Sequence, residues 1–185
     1  MAKPPSLDAW RAAHLVERLG RLLRAADFEG GLNPAQREAL RYLARANRFS
    51  RTPAALAAYF GSSRGTVSQT LIALEAKGLI EKTKSAKDAR SVILSLTGAG
   101  RRAHDLDGEI LLARDIETAG EAGSIAAALE GALARALARR GGRAFGVCKS
   151  CRHHERNAGA RRCALLDEPL TAQDAQAICA EMEAA

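Results

Sequence analysis

Every cysteine of this 185-residue chain lies beyond residue 147, at Cys148, Cys151, Cys163 and Cys179. The first two form a CxxC pair; eleven residues separate Cys151 from Cys163 and fifteen separate Cys163 from Cys179. A CxxC turn lets two thiolates converge on one metal, and two further cysteines complete a tetrahedral set. In a reducing compartment such a group binds metal or does redox chemistry more often than it forms disulfides. Structural zinc sites commonly pair two short knuckles, whereas Cys163 and Cys179 stand alone. The spacing therefore favours an iron–sulfur cluster, with Zn as the alternative. Either leaves about −2 on the four-thiolate site, which Arg143, Arg152, Arg156, Arg161 and Arg162 can offset. Four thiolates already complete the ligand set, so His153 and His154 are expected beside the site rather than in it. "HHE" also lacks the zincin spacing of two histidines one helical turn apart.

The elements around these residues have to hold them in place. Gly141 and Gly142 mark a break, after which an Ala-rich pattern gives way to Arg, His and Cys. Segment 143–185 is expected as a small Cys-rich unit whose apolar surface is too limited to fold without a metal. Charge is divided along the chain: 139–162 carry +7, 163–185 carry −5, and the first 138 residues +5. A basic balance attracts polyanions, nucleic acid above all. The N-terminal stretch lacks a secretory h-region, and no run approaches the roughly 18 apolar residues of a membrane span. A cytoplasmic protein without a membrane partner is expected.

Upstream, the pattern is helical. Leu15, Leu19, Leu22 and Leu23 make a stripe within residues 6–27. Asn33, Pro34 and Gln36 read as N-cap, first helical position and capping-box partner of a second helix. Thr52 and Pro53 start a short third helix that Gly61 stops. In "SSRGTVSQTLIALEAKGLIEK", Val67, Leu71 and Leu74 face inward, while Arg64, Gly65, Ser68, Gln69 and Ile72 share the outer face. A short helix, a glycine turn and a second helix presenting Arg, Ser and Gln is a helix-turn-helix. Such side chains suit DNA phosphates and major-groove base edges.

The period then becomes alternating. "LIEKTK" and "SVILSL" predict a hairpin over 79–96 with a basic tip, a wing whose Lys82, Lys84, Lys87 and Arg90 would lie along the DNA backbone or in the minor groove. Thr97 is expected to cap one long helix carrying Leu106, Ile110, Leu111 and Leu112. A further helix carries Ile125, Leu129, Leu133 and Leu137. These apolar stripes exceed what a small winged helix can cover and argue for dimerisation through the terminal helices.

Residues 10–140 resemble the MarR family of bacterial transcriptional regulators. The resemblance is carried by "GTVSQTLIALEAKGLIEK", "KDARSVILSLT" and "GAGRR", in family order and spacing. It implies a mainly α fold: a winged helix-turn-helix with a two-stranded β wing, over 31–97, flanked by long dimerisation helices at 1–30 and 98–140. It implies a homodimer bound to a double-stranded, pseudo-palindromic DNA operator, usually as a repressor. Asp88 and Arg90 look like the family's wing pair, the aspartate bracing and the arginine reaching DNA. The expected DNA-contacting set is Ser62, Arg64, Thr66, Ser68, Gln69, Lys82, Lys84, Lys87, Asp88 and Arg90. The cysteine segment departs from the family pattern. It is similar to small four-cysteine modules, some of which carry a [4Fe-4S] cluster, and so suggests sensing of redox state, oxygen or iron. A structural zinc staple with small-molecule control elsewhere is the alternative. A cluster-containing nucleic-acid enzyme is the weakest reading, because the helices flanking the wing offer no acid, base or nucleophile constellation.

Overall fold

The computed structural model describes residues 4–26, 31–85, 91–142, 145–157 and 159–183. Helix α1 (Leu7–Ala26) has the expected stripe, but Leu15, Leu19 and Leu22 on it are exposed. Helix α2 (Pro34–Arg45) opens with the predicted capping box. The Asn33 side chain accepts the Gln36 N–H at 2.9 Å, and Gln36 Oε1 accepts the Asn33 N–H at 3.3 Å, so two otherwise orphaned donors are satisfied.

Thr52 caps helix α3 (Pro53–Phe60), which ends at Gly61 with φ 60°. That left-handed geometry suits glycine and turns the chain sharply into α4 (Arg64–Ala76), capped by Ser63. Val67, Leu71 and Leu74 of α4 pack against Leu40, Leu43 and Leu56 in one buried core. Strand β1 (Ile80–Lys84) pairs antiparallel with β2 (Val92–Leu96), from Ile80 opposite Leu96 to Lys84 opposite Val92. Ile80, Leu94 and Leu96 seal the core, and the Leu94 N–H reaches back to the Arg51 carbonyl at 2.8 Å. The hairpin is thereby fastened to the segment that enters α3.

One expectation fails after the wing. Thr97 caps not a long helix but a short one, α5 (Gly98–Asp105), and α6 (Gly108–Thr118) begins anew. The cause is Asp107, almost fully buried, whose carboxylate caps the Glu109 N–H at 2.9 Å. The same carboxylate receives Arg41 at 2.8 Å and lies 3.9 Å from Arg37. Holding it between those guanidiniums breaks the helical path. Leu106, expected on the apolar stripe, is left exposed instead. Helix α7 (Ala122–Ala138) follows, and no described residue of α6 or α7 is buried. Leu111, Leu129 and Leu133 are exposed, each forgoing the roughly 1.5 to 3 kcal/mol that full burial would contribute.

Gly141 ends the helical region with φ 64°, yet the glycine pair does not set the next segment loose. It folds into β3 (Gly146–Val147), β4 (His154–Asn157), β5 (Ala160–Cys163), β6 (Glu168–Leu170), a short α8 (Ala172–Gln176) and β7 (Ile178–Cys179). Strands β4, β5 and β6 form an antiparallel sheet, and β3 pairs with β7. Phe145 and Ile178 pack onto the winged-helix core. The Phe145 ring stands edge-on to Tyr59 at 5.1 Å, and the Asn47 N–H donates to the Ile178 carbonyl at 2.9 Å. Arg48 pairs with Asp174 at 2.8 Å. Among the described residues, no helix is long and apolar enough to cross a membrane.

Candidate functional site

The cysteine segment brings its thiols together around a small core of its own. Cys148, Cys163 and Cys179 are buried with Leu170, against Phe49, Leu166 and Met182. Cys151 is half-buried at the rim, its Sγ accepting the Glu183 N–H at 3.4 Å. The CxxC pair spans a single 3₁₀ turn, in which the Cys151 N–H returns to the Cys148 carbonyl at 3.1 Å. All four are free thiols. Burial, with Cys179, Cys163 and Cys151 close by, pushes the Cys148 thiol up to about 11. Crowded thiolates repel one another and a cation among them would reverse that cost.

The winged helix supplies a partner that sequence reasoning missed. Burial pushes the Cys179 thiol up, opposed by hydrogen bonds from the Glu181 backbone and from the side chains of Asn47 and Ser50. The Asn47 amide is buried, and among the described residues its Nδ2 has no partner in full hydrogen-bond geometry, so its approach to the Cys179 sulfur falls short of a complete hydrogen bond. A buried donor left over beside a thiol is costly, and a thiolate at Cys179 would satisfy it. This donor set fits a group bound through thiolates. The sulfurs are nevertheless packed as a cluster rather than closed on a point: as the side chains stand, no three His, Cys, Asp or Glu among the described residues form a group that could hold a metal ion. The sequence signal here was an Asn-built turn, in which Asn47 Oδ1 accepts the Phe49 and Ser50 N–H groups at 3.1 and 3.0 Å. It gave no hint that the turn also receives the cysteine segment.

Of the two histidines, His154 sits beside the thiols. His154 Nδ1 lies 3.6 Å from Cys148 Sγ, and His154 is opposite Cys163 in the β4–β5 ladder. His153 Nε2 approaches Glu183 at 3.2 Å.

The second candidate surface is the outer face of α4. Arg64, Thr66, Ser68, Gln69 and Ile72 on it are all exposed, as is Ser62 in the turn before it, while Val67 and Leu71 on the opposite side are buried. Thr66 Oγ1 is 2.9 Å from Ser63 Oγ, so that hydroxyl is shared with the helix cap. Lys84 is exposed on β1. Lys82 differs from expectation: it is half-buried and paired with Glu75 at 2.7 Å, across from the end of α4. Its charge is largely answered within the chain. Lys87, Asp88 and Arg90 of the wing tip lie outside the described residues.

A helix-turn-helix, a paired wing and a polar outer face on the second helix now stand together. Residues 30–91 match the MarR family. Solved structures share the same arrangement: the S. aureus MepR–DNA complex superposes with a TM-score of 0.51 at 18% identity, over 73% of this chain and 99% of that one. BldR from Sulfolobus solfataricus gives a TM-score of 0.51 at 22% identity, over 72% of this chain and 94% of that one. At these identities the likeness is one of fold, a MarR-type winged helix. The family match ends before the cysteine segment. No curated protein matches the chain.

Proposed function

We propose that this protein is a cytoplasmic transcriptional regulator, a homodimeric repressor of a pseudo-palindromic DNA operator, whose four cysteines hold an iron–sulfur cluster that sets its DNA affinity. The exposed Arg64, Ser68 and Gln69 of α4 and Lys84 of β1 support the DNA-binding part: the α4 side chains suit base edges and phosphates, and a strand lysine suits the backbone. The uncovered leucines of α1, α6 and α7 support dimerisation, since a second copy would bury them. No step of this function requires catalysis by the chain.

The observation that carries the sensing part is the attachment of the cysteine segment to residues 46–50, directly before the helix-turn-helix. Asn47 and Ser50 touch the last cysteine and belong to the winged helix. Cys148, Cys151, Cys163 and Cys179 would hold the cluster, which would supply a group whose oxidation or loss changes the charge and packing of the site. Asn47, Ser50 and Glu183 would orient and stabilise the thiolates. Half-sites on one DNA face lie about 34 Å apart, so a small displacement at the base of α3 misplaces one recognition helix of a dimer.

Anaerobic purification with iron, sulfide and zinc analysis tests the cofactor. Operator affinity at fixed salt is then compared for the loaded protein, the stripped protein and Cys163→Ala. Different affinities that follow cofactor content support the reading. Equal affinities at different content remove the sensor, and a zinc-only protein replaces it with a structural staple.

A further inference from the structure

The outer wall of the cysteine unit holds a cleft of about 410 Å³, whose lining includes Lys149, Ser150, His154, Arg156, Arg161 and Gln176. Arg156 and Arg161 stand directly opposite each other in the β4–β5 ladder. Opposed residues of an antiparallel pair project from the same face, and like charges there destabilise it. The other face of the same ladder is balanced, because Arg162 pairs with both Glu155 and Asp167. On the cleft face, Lys149, Arg156 and Arg161 make no ion pair among the described residues.

We infer that this cleft is a phosphate-binding site. Two guanidinium forks and one ammonium around one concavity suit a compact, multiply charged oxyanion, with forks matching pairs of phosphate oxygens. An anion between Arg156 and Arg161 turns their repulsion into attraction. Lys149 and Ser150 lie inside the Cys148–Cys151 turn, and His154 touches Cys148, so the cleft is built on the cysteine knuckle itself. Assembly of the thiolate centre would therefore assemble the anion site. The phosphate can belong to a DNA backbone or to a free phosphate compound, and only the first source rests on the regulator reading above.

The test uses full-length protein as purified with its metal: wild type, Arg156→Gln, Arg161→Gln, the double variant, and Lys149→Gln. If DNA phosphate fills the cleft, the slope of log affinity against log salt for an operator duplex falls by about 0.9 for each phosphate that a variant no longer neutralises. If a free phosphate compound fills it, calorimetry without DNA shows inorganic pyrophosphate binding to wild type and at least tenfold weaker, roughly, to the double variant. Either result supports the site, and the arm that responds names the source. Equal slopes together with an equal or absent pyrophosphate response overturn it, including where the variants merely lose metal, which would make the arginines simple counter-charges for the thiolates. Arg156→Lys, with its charge retained, and a thermal melt separate charge loss from misfolding. A wild type that binds no duplex sinks the regulator reading while leaving the pyrophosphate arm to decide the cleft.

Discussion

The Ser50 hydroxyl accepts the backbone N–H of Ala180 at 2.8 Å, joining the turn before α3 to the residue after the last cysteine. Ser50 is almost fully buried, and its own carbonyl receives the Tyr42 hydroxyl at 2.8 Å. One residue thus ties the winged-helix core to the cysteine segment across 130 positions of sequence.

Replacing Ser50 with Ala should therefore act on both parts. A buried N–H left without its acceptor costs on the order of 1 to 3 kcal/mol. We expect a lower urea midpoint and faster proteolytic trimming beyond residue 145, with α4 still folded. Unchanged trimming would show that the segment is held by other interactions, chiefly Phe145 and the Arg48–Asp174 pair.

Asp107→Asn isolates the ion pair that interrupts the expected long helix. Asparagine keeps the cap but removes the charge facing Arg41 and Arg37, whose side chains are only 16% and 11% exposed. Breaking a buried pair by removing one partner costs roughly 3 to 5 kcal/mol. Glu109→Gln is the comparison, since its closest partner, Arg45, is 46% exposed at 2.9 Å and such pairs contribute at most about 1 kcal/mol. Equal midpoints for the two variants in urea denaturation would contradict this ranking.

At the DNA surface, the two strand lysines should separate. Lys84 is exposed, so Lys84→Ala should weaken binding to all duplexes and lower the salt slope by about one unit. Lys82 is held by Glu75, so Lys82→Ala should change the slope less. Gln69→Ala should instead alter preference at particular base positions, read by selection from a random duplex pool. Identical slopes for the two lysine variants, or an unchanged selection profile for Gln69→Ala, would remove these assignments.

The elements that repeat a local rule were legible in the sequence. Asn33, Thr52 and Thr97 cap the helices their own side chains start, and Val67, Leu71 and Leu74 bury the face their spacing selects. The interactions that place one element on another were not. Asp107 breaks a helix because Arg41, 66 positions away, reaches it, and no periodicity records such a partner. Asn47 and Ser50 form a local turn, but their second role depends on a segment that returns only at Ile178 to Ala180. The cysteines were found by type and spacing. Their seat on the winged helix depended on Phe145 and Ile178, two apolar residues that any small core could have used.

That seat makes a prediction about thiol chemistry in the stripped protein. Cys151 is half-buried at the rim, whereas Cys148, Cys163 and Cys179 are buried, and burial pushes Cys148 up to about 11. The thiolate is the reactive form, so at neutral pH a charged thiol reagent should label Cys151 first. If the segment stays docked without metal, labelling of the other three should wait for local opening and should quicken in Ser50→Ala. Mass spectrometry of partly labelled protein reads the order directly. Four equal rates in the stripped wild type would mean that metal removal unfolds the whole segment, as a unit dependent on its metal would do. Cys151 labelling ahead of the others would mean that the docking interactions hold the fold by themselves, without a metal.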